Sequence, residues 1–198
     1  EAEERLAQAR ELISHLSDAL QRDELLALAW HVETYLRLAQ GDNMAATRAA
    51  QEAISLQEAN PYAACLAYSN LGILEAKARR YDGAIEYFQQ AYAFNPYFYR
   101  AGAALGRLLI ARRQYARAAE VLEDAMSKAP EQARREAQYA YALALARSGQ
   151  RQKGLEAYRL ALQNGLSGIN RLLALWQTVW LHEYGRHIVI GLGLAALL

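Results

Sequence analysis

Residues 65–96 read CLAYSNLGILEAKARRYDGAIEYFQQAYAFNP. Tyr68, Leu71, Phe88 and Ala91 recur at helical spacing on both sides of Arg79-Arg80-Tyr81, so the stretch predicts two helices joined by a short turn. Small residues punctuate it at Ala67, Gly72, Ala84 and Ala91. Working outward, the same pattern returns when counting starts at Tyr99 and Arg135, and more loosely at Ala27. Position 3 is Ala29, Ala67, Ala101 and Ala137; position 20 is Ala46, Ala84, Ala118 and Gly154; position 27 is Ala53, Ala91, Ala125 and Ala161. The three prolines, Pro61, Pro96 and Pro130, are spaced by 35 and 34 residues, where one helix has ended and the next can start. Small residues in register predict helix axes that approach closely at fixed points. Pro96 and Tyr97 with Ala101, Leu105, Leu108 and Leu109 predict the third unit's first helix. Turns are expected at Gln40-Gly41-Asp42, Arg113-Gln114-Tyr115 and Ser148-Gly149-Gln150.

Bulk properties narrow the function classes. With 22 Lys plus Arg against 21 Asp plus Glu, the net charge of +1 gives no reason to expect nucleic acid or an acidic surface as ligand. A hydrophobic fraction of 54% in 198 residues is that of a folded, alanine-rich chain. Cys65 is alone, which rules out an intrachain disulfide and suits a reducing, cytoplasmic setting.

The Leu71-Gly72 and Leu105-Gly106 pairs at positions 7 and 8, with Tyr68, Ala84, Phe88, Ala91 and Pro96, resemble the tetratricopeptide repeat family. The third unit supplies Ala118, Leu122, Ala125 and Pro130 in the same register. The fourth departs with Ala142 for the glycine and Gly154 for an alanine, and the first with Glu33-Thr34 for the Leu-Gly pair. The resemblance implies an all-α fold, a right-handed α-solenoid of antiparallel helix pairs. Four repeats are expected over residues 27–166, preceded in residues 1–26 by the second helix of an incomplete repeat. A capping helix is expected over 167–185, from the stripe Ile169, Leu172, Leu173, Trp176, Val179 and Trp180, and a hydrophobic tail over 186–198. The uncharged run Ile188–Leu198 is too short to span a bilayer at about 1.5 Å per residue. It reads first as tail or cap, then as the start of a membrane helix, then as a glycine turn of a nucleotide-binding fold.

No catalytic or metal-ligating constellation stands out, and neither cofactor nor enzymatic activity is expected. His182 and His187 are five apart, off the i, i+4 spacing of a helical metal site, and His15 and His31 lie on other segments. Cys65 reads as a small buried side chain. The arginine doublets (Arg79-Arg80, Arg112-Arg113, Arg134-Arg135, and Arg147 with Arg151) fall near helix ends, where cations suit the carbonyl dipoles.

By resemblance to the family, the first helix of each unit lines an inner groove through positions 2, 5, 6, 9, 12 and 13. Those positions hold His31 and Tyr35; Asn70, Ile73 and Lys77; Arg100, Arg107 and Ile110; and Tyr139, Leu143 and Arg147. The expected function is a scaffold that grips a partner peptide or helix there, with cations and tyrosines suited to carboxylate-bearing partners. The alternative is a sensor or spacer segment of a larger multidomain protein, a regulator, nucleotide-binding or membrane-anchored, continuing past Leu198. Self-association through Trp176 and Trp180, and membrane contact by the tail, are further expectations.

Overall fold

The computed structural model describes residues 1–165 and 168–181, and among them every regular element is a helix. In chain order these are α1 (Ala2–Ser14), α2 (Ala19–Gln40), α3 (Asn43–Ser55), α4 (Pro61–Lys77), α5 (Tyr81–Phe94), α6 (Tyr99–Ala111), α7 (Tyr115–Lys128), α8 (Glu131–Arg147), α9 (Arg151–Gln163) and α10 (Gly168–Leu181). The chain forms two compact units, Glu1–Ala101 and Gly102–Leu198, with the boundary inside the first turn of α6.

Helix starts follow capping chemistry. Asp18, Asp42 and Asn60 each accept a hydrogen bond from a backbone N–H three residues on, at 3.1, 2.9 and 2.9 Å, and Pro61 takes the first helical position of α4. The Asp18 cap corrects the expected boundary at residue 26: α2 begins at Ala19, so residues 19–26 are its first two turns. Pro96 and Tyr97, expected in the third unit's first helix, precede it instead. The Asn95 side chain accepts from Tyr97 N at 3.0 Å, closing a turn before α6.

Within the first unit α2 pairs with α3 and α4 with α5, while α3 and α2 both pack on α4. In the second, α8 pairs with α9, α7 packs on α8, and α10 packs on α9 and touches α8. The alanines of positions 3, 20 and 27 are all buried in all four repeats, together with Gly154. In the second and third repeats position 8 then meets position 24 across the helical hairpin. A Cβ on Gly72 would lie 2.9 Å from the Phe88 ring, and one on Gly106 would run into Leu122 Cγ and lie 2.6 Å from Cδ2. Real carbon contacts are wider, so glycine is what admits those large partners.

The first repeat solves the same problem with sizes exchanged. Thr34 at position 8 is fully buried and donates from its hydroxyl to Trp30 O at 2.8 Å, and position 24 holds the fully buried Ala50. Glu33, where the other pattern wants leucine, is claimed by α1. Arg10 Nη1 lies 2.5 Å from its carboxylate, and the Arg10 guanidinium stacks 3.7 Å over Trp30. Arg37 bridges Glu33 at 3.4 Å and Glu3 at 2.7 Å, tying α1 to α2.

In α10, Ala174 and Leu181 are buried, whereas Leu172, Leu175, Trp176 and Trp180 face outward. The side chains of Ile169 and Val179, and His182, His187 and Ile188–Leu198 with its three readings, lie outside the described residues. No helix among the described residues is long and apolar enough to cross a membrane.

Candidate functional site

The first helix of each hairpin supplies the groove residues expected from sequence, and they fall into two chemically distinct sets, one on α2 and α4 and the other on α6 and α8. On α2 and α4, which pack together, His31 is half-buried, its Nδ1 enclosed and without a hydrogen-bond partner. Burial pushes its pKa below the ordinary histidine value. Asn70 Nδ2 is enclosed and unpartnered in the same way. Tyr35 keeps 69% of its surface in water, and Ile73 and Lys77 are exposed as well. The set is a polar pair held in the packed layer with an aromatic, an aliphatic and a cationic side chain left for solvent.

The second set is basic. Arg100 opens α6 with its guanidinium 6.0 Å from the Tyr99 ring centre, and Arg107 is exposed a further two turns on. Ile110 near the end of α6, Leu143 and Arg147 on α8, and Arg113 and Tyr115 at the α6–α7 turn line an open cleft of about 560 Å³. Tyr139 stacks at a tilt on Tyr158, ring centres 5.7 Å apart, and Tyr158 is fully buried. Burial raises the pKa of both phenols, and the Arg147 charge opposes that rise.

Two members of the cleft, Arg113 and Tyr115, were absent from the expected set. The signal was a register match: Gly41, Arg79, Arg113 and Gly149 all occupy position 15. All four have positive φ, at 79°, 60°, 60° and 92°. That conformation closes the turn between the two helices of every hairpin, and two glycines announced it.

The arginine doublets divide. Arg80 forms a two-pronged pair with Glu75, both contacts at 2.7 Å, and lowers that carboxyl's pKa. Arg134 donates to Ala129 O at 3.2 Å, Arg151 donates to Leu181 O at 2.8 Å, and Arg135 pairs with Glu131. Arg113 and Arg147 make no ion pair with any carboxylate among the described residues. Cys65 is fully buried, its thiol donating to Ala91 O at 3.2 Å with burial raising the pKa to about 11. The described residues contain no group of three or more His, Cys, Asp or Glu able to hold a metal ion.

Short helical hairpins packed on their neighbours, α2–α3 on α4–α5 in the first unit and α7 on α8–α9 in the second, define a helical-repeat architecture. Residues 75–146 match the family model described as tetratricopeptide repeat, and that stretch carries tetratricopeptide repeats. Such repeats build protein-interaction scaffolds. Among solved structures the chain is similar to YrrB, described as a TPR protein with an unusual peptide-binding site. That match has 18% identity and a TM-score of 0.68 over 81% of this chain and 78% of that one. It is also similar to MamA from Desulfovibrio magneticus RS-1, with 24% identity and a TM-score of 0.63 over 79% of this chain and 83% of that one. At these identities the likeness establishes the fold. Comparison with curated protein sequences finds no match.

Proposed function

We propose that the protein is a non-catalytic scaffold that holds an extended peptide or a helix of a partner protein on the first-helix faces of its repeats. The observation that carries this reading is the division of labour in each hairpin. Alanines and glycines consume the packing positions, while the first helices spend large side chains, Tyr35, Ile73, Arg107 and Arg147, on solvent. Tyr35 and Ile73 stand exposed on the same two helices as the enclosed, unpartnered His31 Nδ1 and Asn70 Nδ2. The ten residues proposed to touch the partner are His31, Tyr35, Asn70, Ile73, Lys77, Arg100, Arg107, Tyr139, Leu143 and Arg147. The structural similarity to YrrB supports the reading, since that protein is described as having a peptide-binding site. The lone buried thiol suits a reducing compartment, the cytoplasm.

A random peptide array probed with the purified protein tests it. Captured peptides should bind less to the double variant Tyr35→Ala/Ile73→Asp and to Arg147→Glu, each with an unchanged circular dichroism spectrum. Peptides retained equally by both variants would remove these faces from consideration.

The outward face of α10 favours a second surface. Trp176 is 56% exposed beside Leu172, Leu175 and Trp180, an apolar stripe suited to a second copy of the chain. Light scattering over a range of concentrations should show a mass that rises with concentration and returns to the monomer value in Trp176→Glu. A constant monomer mass would exclude self-association.

A further inference from the structure

Position 15 of each repeat needs a left-handed residue, and glycine meets that need at the least conformational cost in Gly41 and Gly149. Arg113 adopts the same conformation at φ 60° with a full side chain, and its guanidinium lines the cleft with Arg147, Ile110, Leu143 and Tyr115. The turn would close as well with glycine, so the backbone alone does not call for the arginine side chain that lines this cleft. Its surroundings leave that charge unanswered. α6 contains no Asp or Glu, α8 contains none from Ala137 to Arg147, and neither Arg113 nor Arg147 is paired with a carboxylate among the described residues. Arg80, Arg135 and Arg37, by contrast, all hold carboxylates of their own chain.

We infer that this cleft is an anchor for an acidic peptide segment. An Asp or Glu carboxylate is gripped between Arg113 and Arg147, and the aliphatic side chain next to it rests on Ile110 and Leu143. Two guanidiniums at one cleft offer paired N–H donors to a carboxylate, and the two apolar residues remove a neighbouring side chain from water. The overall charge of +1 hides this, because it sums acids and bases wherever they lie in the chain. The inference rests on the scaffold reading above and assigns it a ligand chemistry in the second unit.

The test is fluorescence anisotropy with a labelled peptide alternating glutamate and leucine. Its glutamine–leucine counterpart, inorganic phosphate and phosphatidylserine vesicles serve as competitors. The Glu–Leu peptide should bind, weaken as salt rises, and lose about tenfold in affinity in Arg113→Gly and in Arg147→Ala. Arg113→Gly keeps the turn in its preferred conformation, so the loss cannot be blamed on misfolding. Arg48→Ala, which removes an exposed cation outside the cleft, should bind this probe as the parent does. Equal affinity for the glutamine peptide, or unchanged binding by Arg113→Gly, would overturn the inference. So would displacement by phosphate or vesicles at concentrations where the glutamine peptide does nothing. Array peptides lost with Tyr35→Ala/Ile73→Asp but indifferent to Arg113→Gly would sink the acidic anchor and leave the scaffold reading standing.

Discussion

The first and third repeats place their helices in the same register with opposite choices of side chain. In the third, Gly106 yields to Leu122 and Arg113 closes the turn; in the first, the same two positions hold the fully buried Thr34 and Ala50 and Gly41 closes it. What the architecture holds constant is a left-handed residue at position 15, whereas positions 8 and 24 trade bulk, a small residue facing a large one in the second and third repeats and Thr34 with Ala50 in the first. The identities are free to trade as long as close packing is kept. Where identity departs from that minimum, another demand is acting. In the first repeat the demand is α1, which recruits Glu33; in the third it is the cleft, which recruits Arg113.

Moving one repeat's solution into the other breaks the comparison most forcefully. Leu122→Ala should cost about 3 kcal/mol, the usual range for emptying a buried leucine site, and Gly106→Thr about 2 kcal/mol through overpacking. The double variant Gly106→Thr/Leu122→Ala recreates the Thr34–Ala50 pair, and urea unfolding should show it less destabilised than the sum by about 1–2 kcal/mol. Strict additivity would mean that the two positions do not share one volume.

Glu33 gives the next largest effect. Glu33→Ala leaves Arg10 enclosed over Trp30 without its carboxylate, which should cost about 1–2 kcal/mol for a pair that keeps some contact with water. The loss should concentrate in α1, with faster hydrogen exchange over residues 2–14 and little change in α4. Uniform exchange across the first unit would show that Glu33 supports the repeat itself and not its junction with α1.

These two predictions mark how far the sequence carries. Ala84, Ala91, Leu71-Gly72 and Phe88 announced helix packing because close approach excludes anything larger, and a single chain of letters reports size directly. The start of α2 at Ala19 was also legible, in the Asp18 cap, although the repeat register counted from Ala27 placed the boundary at residue 26. Glu33 was visible only as a departure, since its partner Arg10 lies 23 residues away and no periodicity links them. Arg113 was hidden for a different reason: arginine does not advertise positive φ, and near a helix end it reads as a partner for the carbonyls. Of the basic cleft, Leu143, Arg147 and Ile110 followed from the family register, while the turn residues required the backbone.

Exchanging the turn residues sharpens the comparison more gently. Gly149→Ala forces a Cβ into the left-handed region and should cost about 1 kcal/mol, although nothing lies within 4 Å of that Cβ. Arg113→Gly should gain roughly 0.5–1 kcal/mol, the relief of strain exceeding the added freedom of the unfolded chain. Thermal unfolding of the two variants reads both signs. A loss of stability in Arg113→Gly would mean that its side chain is fastened within the fold.

The smallest effect separates the repeats by pH. His31 at position 5 of the first repeat has Ala103 as its counterpart in the third, so only the first carries a titrating group there. Burial lowers the folded-state pKa of His31 below its ordinary value of 6.5. The unfolded chain therefore takes up a proton that the folded chain resists. Stability from this residue is present above pH 6.5 and drains away as pH falls from there toward the folded value. The carboxyls held down by pairing, Glu75 beside Arg80 and Glu3 beside Gln40 and Arg37, lose their contribution only below their ordinary 4.5, so the windows are distinct. His31→Gln should flatten the urea midpoint between pH 6.5 and 5 while leaving the steeper fall below 4.5 intact. A wild-type midpoint already flat in the upper window would show that His31 accepts its proton as readily folded as unfolded, and that its enclosed Nδ1 finds a partner.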